Sequence, residues 1–407
     1  MQTQQTKPAT LAELARYFLR LGFTAFGGPA AHIAMMEDDI VTRRRWLTRQ
    51  HFLDMLAATQ LVPGPNSTEM AIHVGYVKRG FAGLCVAGIC FILPAFLIVL
   101  AISIAYVRYG ALPATAALFY GIQPVIVAII MQAIVRLAGS AWKTRPMLIL
   151  GIVSTILSLV LPIDPVIVIV LGGLVGVLLA GSWRSLGSAA LLVLPGSVLL
   201  ASTPAPLWQL ALFFLKVGAT LMGSGYLLIS YLENDLVNRY GWLTTRQLID
   251  AIAVGQMTPG PVFTTAAFVG YVIRAGQEGA VIPGIIGASV CAAAIFMPSF
   301  FIIALIGPLV PRMRSSPSLG AFLDGVNAAV VGTMAATTWK LLQTAVLNLQ
   351  HEVWSVPLGK QRLDIPALLI AVIAAAILLP KKAPNSSYLI VAGAILGLLI
   401  QKLVGGV

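Results

Sequence analysis

Hydrophobic residues along this chain fall in long uncharged runs, separated by short polar stretches and by breaks rich in proline and glycine. Several runs reach the roughly 20 residues that a helix needs to cross a hydrocarbon core of about 30 Å. The pattern predicts an all-α polytopic membrane protein. Its expected helices cover residues 11–26, a polar-faced segment to 41, 48–62, a short segment to 78, 81–107, 114–139, 145–161, 165–181, 206–222, 226–240, 244–258, 261–274, 281–310, 317–343, 364–380 and 386–404.

Composition strengthens this interpretation. Of the 407 residues, 58% are hydrophobic and 10% are charged, against about 25% charged in a soluble domain, and the mean hydropathy is +0.93. The net charge of +12 does not indicate nucleic-acid binding, because the basic residues stand at the ends of apolar runs, as topology signals and headgroup anchors do. We therefore expect the lipid bilayer, and not a nucleic acid, as the surrounding partner.

The sequence also limits the cellular location of the protein and the class of function it can have. Residues 1–10 form a polar tail without the apolar core of a signal peptide, and we expect this N-terminus to be cytoplasmic and the protein to lie in the bacterial inner membrane. The three cysteines sit inside apolar runs, so no disulfide framework is predicted. The chain has no Walker loop, no Gly-x-Ser-x-Gly motif and no His-Glu-x-x-His motif. We expect no enzyme activity, no cofactor and no metal site.

The chain is an internal duplication. Phe18–Thr68 aligns without a gap onto Phe214–Thr264, and 20 of 51 aligned positions are identical. Many secondary transporters are built from two such halves. We divide the chain into a tail (1–10), a first repeat (11–185), an apolar linker (186–205) and a second repeat (206–407). If the linker crosses the membrane, the halves have opposite orientations, whereas the distribution of basic residues mildly favours parallel halves.

Each repeat contains a Pro-Gly-Pro break, at Pro63-Gly64-Pro65 and at Pro259-Gly260-Pro261. The first proline ends one helix and the last suits the first position of the next. The N–H groups at such a helix start are free and positive, which favours an anion. Discontinuous helices that meet near the midplane are frequent in transporters, although a lone proline usually makes only a kink. The substrate-binding candidates here are Gln60, Gly64, Asn66, Ser67, Thr68, Gln256, Gly260 and Thr264.

A second break follows the first helix of each repeat. It comprises Gly27 and Gly28 in one copy and Gly223 in the other. Glycine serves either a binding site or close helix packing in membranes, and both interpretations stay open.

Charged residues at matched repeat positions are further candidates. Arg20 and Lys216 are cations in apolar helices, which favours contact with a substrate anion over snorkelling to the interface. Glu37 and Glu233 are candidates for proton coupling, but ion-paired helix ends are the favoured interpretation. His32 occurs only in the first copy and is kept as a binding candidate beside the more ordinary role of a hydrogen-bonded histidine.

At these residues the sequence resembles the chromate ion transporter family in its long two-domain form. The resemblance rests on Phe23–Pro29 followed by His32, on Trp46-Leu47, and on Gln60–Pro65, and it covers nearly the whole chain. It implies export of chromate, which confers chromate resistance, with sulfate as a competing analogue and with halves of opposite topology. The second copy departs from the motif at Gly225 and Leu228, where the first has Pro29 and His32. We therefore expect the first copy to carry the sharper site.

Several alternatives remain. The export could be driven by the membrane potential, by proton coupling or by both. Chromate and sulfate are tetrahedral dianions of similar size, so a sulfate or other oxyanion transporter is the first alternative. An anion channel and a non-transporting membrane subunit are the others, and a homodimer is compatible with the sequence.

Overall fold

The structure is a computed structural model. It describes residues 8–26, 28–59, 63–110, 112–161, 163–181, 205–222, 225–306, 317–347, 355–358, 361–380 and 384–404. The predicted crossing linker, apart from its last residue, lies outside these described ranges.

The described chain is almost entirely helical, and its helices follow the predicted order, with bounds that mostly agree within about one turn. The first repeat forms α1 (Leu11–Thr24), α2 (Gly28–Met36), α3 (Arg49–Thr59), α4 (Asn66–Tyr109), α5 (Pro113–Ala141), α6 (Arg145–Val160) and α7 (Pro165–Leu179). The second forms α8 (Leu207–Thr220), α9 (Leu227–Tyr231), α10 (Thr245–Met257), α11 (Thr265–Glu278), α12 (Val281–Ile306), α13 (Pro317–Val346), α14 (Ile365–Leu378) and α15 (Ser386–Val404).

Local capping chemistry explains where these helices begin. Thr10 and Glu13 form a reciprocal capping box at the start of α1. Asp164 accepts a hydrogen bond from the Val166 N–H in α7, and Asp364 accepts one from the Ala367 N–H in α14. Both of these helices also have proline in their first turn, where no N–H is required.

Two features are absent from the sequence-based prediction. First, α2 and α9 continue as π-helical segments, Glu37–Arg43 and Leu232–Arg239, which occupy matched positions in the two repeats. Second, β1 (Ser355–Leu358) and β2 (Gln361–Asp364) form a short antiparallel hairpin before α14. Neither has a hydrophobic period long enough to stand out among the surrounding apolar runs.

Five of the described helices are long and apolar enough to cross a membrane, namely α4, α5, α12, α13 and α15. Four shorter apolar helices accompany them, α6, α7, α8 and α14. The expected all-α polytopic class is confirmed.

The chain divides into two compact units that do not coincide with the sequence repeats. Unit 1 comprises 1–102, 204–225 and 258–323, and unit 2 comprises 103–203, 226–257 and 324–407. Each unit therefore contains segments of both repeats. The Pro-Gly-Pro breaks of both repeats belong to unit 1.

In each of its two halves, unit 1 contains a pair of closely packed helical segments joined by a reversal of the chain. α4 is interrupted at Arg79 and Gly80, as the separate predicted segments ending at 78 and starting at 81 require. Its two legs approach so closely that a Cβ on Gly75 would collide with the carbonyl oxygen of Gly83, and Gly270 meets Gly287 in the same way between α11 and α12. Small residues permit this backbone approach, as they commonly do between membrane helices.

Unit 2 is organised around α5, which packs against α10, α14 and α15. Glycines again form the closest contacts. Gly121 of α5 lies against Gly393 of α15, Gly172 of α7 against Gly325 of α13, and Gly151 of α6 against Gly332 of α13. Dispersion between closely packed backbones is the expected source of helix association in lipid.

Candidate functional site at the two Pro-Gly-Pro breaks

The two breaks hold unit 1 together by a reciprocal pair of hydrogen bonds. The N–H of Gly64 donates to the carbonyl of Leu221 at 2.7 Å, and the N–H of Gly260 donates to the carbonyl of Ala25 at 2.9 Å. Gly64 and Gly260 are matched repeat positions, and so are Ala25 and Leu221, the C-caps of α1 and α8. Each break is thus attached to the first helix of the other repeat, which is the exchange that a twofold relation produces.

Backbone conformation makes glycine necessary at both breaks. Gly64 has φ of +140° and Gly260 has φ of +87°, which L side chains rarely adopt. Space is also limited. A Cβ on Gly64 would lie 2.6 Å from Ser299 Oγ and would collide with Glu69 Oε1, whereas one on Gly260 would lie 2.9 Å from the Cβ of Ala95.

The helix starts after the breaks offer fewer free N–H groups than expected. In the first copy the Thr68 N–H donates to the Pro65 carbonyl at 2.8 Å, so it is not free, and Asn66 and Ser67 remain as the N–H groups of the open first turn. In the second copy Val262–Thr264 form a 3₁₀ turn, and the Thr264 N–H donates to the Pro261 carbonyl at 3.1 Å. The N–H groups of Thr68 and Thr264 are therefore not among the free donors expected at these helix starts.

The threonine hydroxyls, in contrast to the N–H groups, differ between the two copies. The Thr264 hydroxyl donates to the Pro261 carbonyl at 2.8 Å. The Thr68 hydroxyl is buried and has no hydrogen-bond partner among the described residues. Ser67 is also buried, and Asn66 is half-buried. The first break thus leaves unpaired the threonine hydroxyl that is satisfied internally at the second break.

Glu69, in the first turn of α4, was missed by the sequence analysis. The residue is completely buried, its carboxyl lies beside Ser299 Oγ, and no described cation forms an ion pair with it. Ser299 Oγ of α12 is buried beside the same break and is the polar neighbour of this carboxyl, although the two groups are not in good hydrogen-bond geometry. Glu69 was overlooked because its repeat counterpart, Thr265, is not acidic. An acidic residue at the edge of a long apolar run was the signal that could have identified it.

His32 lies in the same region of unit 1. Its Nε2 is 3.1 Å from the Ala25 carbonyl, the acceptor that also receives the Gly260 N–H. A carbonyl only accepts, so Nε2 carries the proton. The ring packs edge-on against Phe91, and Nδ1 has no hydrogen-bond partner among the described residues.

The structure places the other binding candidates as follows. Arg20 is exposed on α1, and its counterpart Lys216 is half-buried on α8. Gly28 has φ of +80° with open space beside it. Gln256 is buried in unit 2, where it hydrogen-bonds to Tyr226. Gly27, Gln60 and Gly223 lie outside the described residues.

The two proton-coupling candidates are both ion-paired. Glu37 meets Arg49 at 3.3 Å near the surface of unit 1. Glu233 in unit 2 is buried, meets Lys340 at 3.4 Å and accepts a hydrogen bond from Asn238 at 2.6 Å. The expected ion-paired role fits both contacts, although the Glu233 pair is buried.

Unit 2 also holds a buried aspartate that has a satisfied environment. Asp250 accepts hydrogen bonds from the Tyr106 hydroxyl at 2.8 Å and from Gln123 Nε2 at 3.1 Å. Within the described ranges, no three His, Cys, Asp or Glu side chains are grouped to hold a metal ion.

Comparison with known proteins assigns the chain to a family. The family model described as chromate transporter matches residues 12–177 and 208–398. This chain belongs to the chromate transporter family. With its five apolar helices, it is a multi-pass membrane protein, and membership agrees with a transporter in place of an enzyme.

Curated relatives cover nearly the whole chain. The chromate transport protein of Cupriavidus metallidurans is 31% identical over 97% of this chain and 94% of its own length. The probable chromate transport protein of Synechococcus elongatus is 31% identical, with 94% of each chain covered. The chromate transport protein of Pseudomonas aeruginosa is 34% identical over 83% of this chain and 82% of its own. No solved structure matches the chain at a significant level.

Proposed function

We propose that this protein exports chromate from the bacterial cytoplasm across the inner membrane, and thereby confers chromate resistance. The names of the relatives and the net charge of +12 support an oxyanion substrate. Sulfate, as a tetrahedral dianion of similar size, is the expected competing analogue. The N-terminus is proposed to be cytoplasmic.

The first Pro-Gly-Pro break is the proposed anion site. The observation that carries this proposal is the unpaired Thr68 hydroxyl, which is buried at the start of α4. A buried donor without an acceptor costs about 1–3 kcal/mol, and a dianion at the positive end of a helix would supply the acceptor. The N–H groups of Asn66 and Ser67 are the neighbouring donors. Arg20 and Lys216 are proposed to attract the anion toward unit 1.

The membrane potential supplies enough free energy for export. Moving one charge through 100 mV is worth about 2.3 kcal/mol, so a dianion that leaves a negative interior gains about 4.6 kcal/mol. This corresponds to a concentration gradient of roughly 10³. Export is therefore workable as a potential-driven process.

Uptake of labelled chromate into inverted membrane vesicles tests the proposal. Wild-type vesicles should accumulate chromate, faster with a positive interior, and excess sulfate should compete. Thr68→Val should lower uptake roughly ten- to a hundredfold, because a hydrogen bond to a charged group contributes about 1.5–3 kcal/mol. Thr155→Val is the matched control, since the Thr155 hydroxyl already donates to the Gly151 carbonyl of its own helix. Unchanged uptake by Thr68→Val would remove the proposed site.

The two repeats are proposed to have opposite topology. The reciprocal bonds of Gly64 and Gly260 support a twofold relation between the repeats, and inverted transporters have this relation with the axis in the membrane plane. Exposed positions at the ends of the post-break helices can test it. In a background without the three native cysteines, Ala82→Cys and Ala280→Cys should be labelled by an impermeant thiol reagent from opposite sides. Labelling of both from one side would show parallel repeats.

A further inference from the structure

Glu69 is the one buried carboxyl group beside a Pro-Gly-Pro break in the described part of unit 1, and its polar neighbour there is a single neutral hydroxyl, that of Ser299. In unit 2, Glu233 has Lys340 and Asn238, and Asp250 has Tyr106 and Gln123. Both oxygens of Glu69 are inaccessible to solvent, and Ser299 Oγ beside them is not in good hydrogen-bond geometry and carries no charge to offset that of a carboxylate. An isolated buried carboxylate is very costly, so this group requires either a proton or an external ligand.

From this geometry we propose that Glu69 is a proton-binding site coupled to the oxyanion at the first break, so that the anion binds together with one proton. The inference rests on the proposed function, since it names the titratable partner of that same anion site. The proton comes from water, forms an O–H bond on the Glu69 carboxyl, and returns to water when the anion leaves. Because the proton moves with the dianion, one net negative charge crosses the membrane, and the membrane potential then supplies half of the free energy that it gives a dianion moving alone.

The position of the carboxyl relative to the break supports this coupling. Glu69 Oε1 and Ser299 Oγ both lie within 3 Å of the point that a Cβ on Gly64 would occupy. The carboxyl is therefore beside the turn that precedes the α4 N-terminus. A charged Glu69 would repel a dianion held there, whereas a protonated one would remove the repulsion and donate a hydrogen bond.

Among the described residues around Glu69, no cation is placed to neutralise the carboxylate in place of a proton. No lysine or arginine forms an ion pair with Glu69 within the described ranges. α12, which contributes Ser299, has no charged residue. On α1, which packs on α4, Arg16 and Arg20 are exposed.

Histidines are the other titratable groups near Glu69. His73, one turn further along α4, is buried, and its Nδ1 is unpaired among the described residues. His51 of α3 acts electrostatically on His73. Because these histidines also titrate, a substitution at position 69 itself is required to assign the bound proton to Glu69.

The second break provides an internal comparison. At the Glu69 position it has Thr265, whose hydroxyl donates to the Val262 carbonyl at 2.7 Å. Beside Gly260 stands Ala95. Among the described residues at the matched positions, this break has no carboxyl group, and the titratable side chain beside it is His32, which shares the Ala25 carbonyl with the Gly260 N–H. The coupling through Glu69 therefore amounts to one proton per anion.

Linkage fixes the sign of the expected effect. If binding takes up one proton, chromate affinity must fall as pH rises, by at most about tenfold per pH unit. By reciprocity, the bound anion must hold the proton on the protein more tightly. A variant that is permanently neutral at this position must lose both effects.

The experiment measures chromate and sulfate binding to the purified full-length protein over a pH series. Sulfate is included because its own charge stays constant over the series. Wild-type affinity should fall with rising pH, Glu69→Gln should bind with little pH dependence, and Glu69→Asp should keep the dependence. Glu278→Gln is the matched control, because Glu278 pairs with Arg274 at the exposed end of α11, and it should behave as the wild type.

An infrared spectrum supplies a second readout that does not depend on transport. At alkaline pH, adding anion to the wild-type protein should produce the carbonyl band of a protonated carboxyl group, and Glu69→Gln should lack this band. Absence of the band in the wild type would overturn the coupling, as would pH-independent wild-type binding or a dependence on Na⁺ in place of pH. Failure of the wild type to bind chromate at any pH would instead refute the proposed function.

Discussion

The two Pro-Gly-Pro breaks have the same backbone arrangement and different side-chain chemistry. Gly64 and Gly260 make equivalent hydrogen bonds to the C-caps of α8 and α1. The first break, however, has an unpaired Thr68 hydroxyl and a Glu69 carboxyl without a cation, whereas Thr264 and Thr265 at the second are hydrogen-bonded to the backbone. Backbone symmetry therefore does not imply two equal sites, and the first break is the one that we propose as the ligand site.

The acidic residues at matched repeat positions show a different contrast, in which the residue of the second repeat is the more buried one. Asp54 is half-buried and hydrogen-bonds to Gln50 on its own helix, whereas Asp250 is buried between Tyr106 and Gln123. Glu37 is paired near the surface, and Glu233 is paired in the interior. In the second repeat the buried acids are satisfied, which is typical of groups that stabilise a structure.

The largest expected effect distinguishes the two glutamate ion pairs. Lys340→Ala should lower the free energy of unfolding by about 3 kcal/mol, because it leaves the buried Glu233 without its cation. Arg49→Ala should cost less than about 1 kcal/mol, since the Glu37 pair is largely solvated. Thermal unfolding of the purified variants measures both. Equal losses would show that the two pairs have similar environments.

Substitution of the break glycines should come next. Gly64→Ala should cost about 2 kcal/mol through its positive φ and should also alter the pH dependence of chromate binding, because the new Cβ displaces Glu69. Gly260→Ala should destabilise the protein but leave that pH dependence unchanged, since Ala95 is its nearest neighbour.

Gly276→Ala is the control for both glycine variants. Gly276 lies in α11 with open space around it, so alanine should stabilise the helix by about 0.5–1 kcal/mol. Identical pH profiles for Gly64→Ala and Gly260→Ala would contradict the difference between the breaks.

A smaller effect is expected for the matched aspartates. Asp250→Asn should lower the free energy of unfolding by about 1–2 kcal/mol. The carboxylate accepts hydrogen bonds on both oxygens, whereas the amide would point its own NH₂ donor at one of the two donor groups. Asp54→Asn should stay within about 0.5 kcal/mol. Unfolding midpoints decide between them, and the comparison fails if Asp54→Asn is the more harmful variant.

The smallest effect concerns His32 and its counterpart Leu228. His32→Leu should cost about 1 kcal/mol through the lost bond to the Ala25 carbonyl, which still accepts from Gly260. His32→Gln keeps a donor at a similar reach and should recover part of this loss in an unfolding measurement. If both variants unfold as the wild type but bind chromate poorly, His32 acts on the substrate and not on the fold.

The sequence by itself determined the helices, the duplication and the two breaks. These follow from local causes, since apolar runs of sufficient length form helices, and Pro-Gly-Pro ends one helix and begins another whatever surrounds it. The capping residues Thr10, Asp164 and Asp364 act over one turn and set helix starts for the same reason. The family resemblance can be recognised from the sequence because its motif residues include these breaks.

Tertiary structure alone decided which polar groups are unsatisfied. Asp54 and Asp250 occupy one repeat position, yet only Asp250 is buried. Glu69 lies four residues after Pro65, but the polar group beside its carboxyl is Ser299, more than 200 residues later in the chain. Burial and hydrogen bonding are set by neighbours distant in sequence, and the energetic cost of a buried charge arises only when those neighbours exclude water.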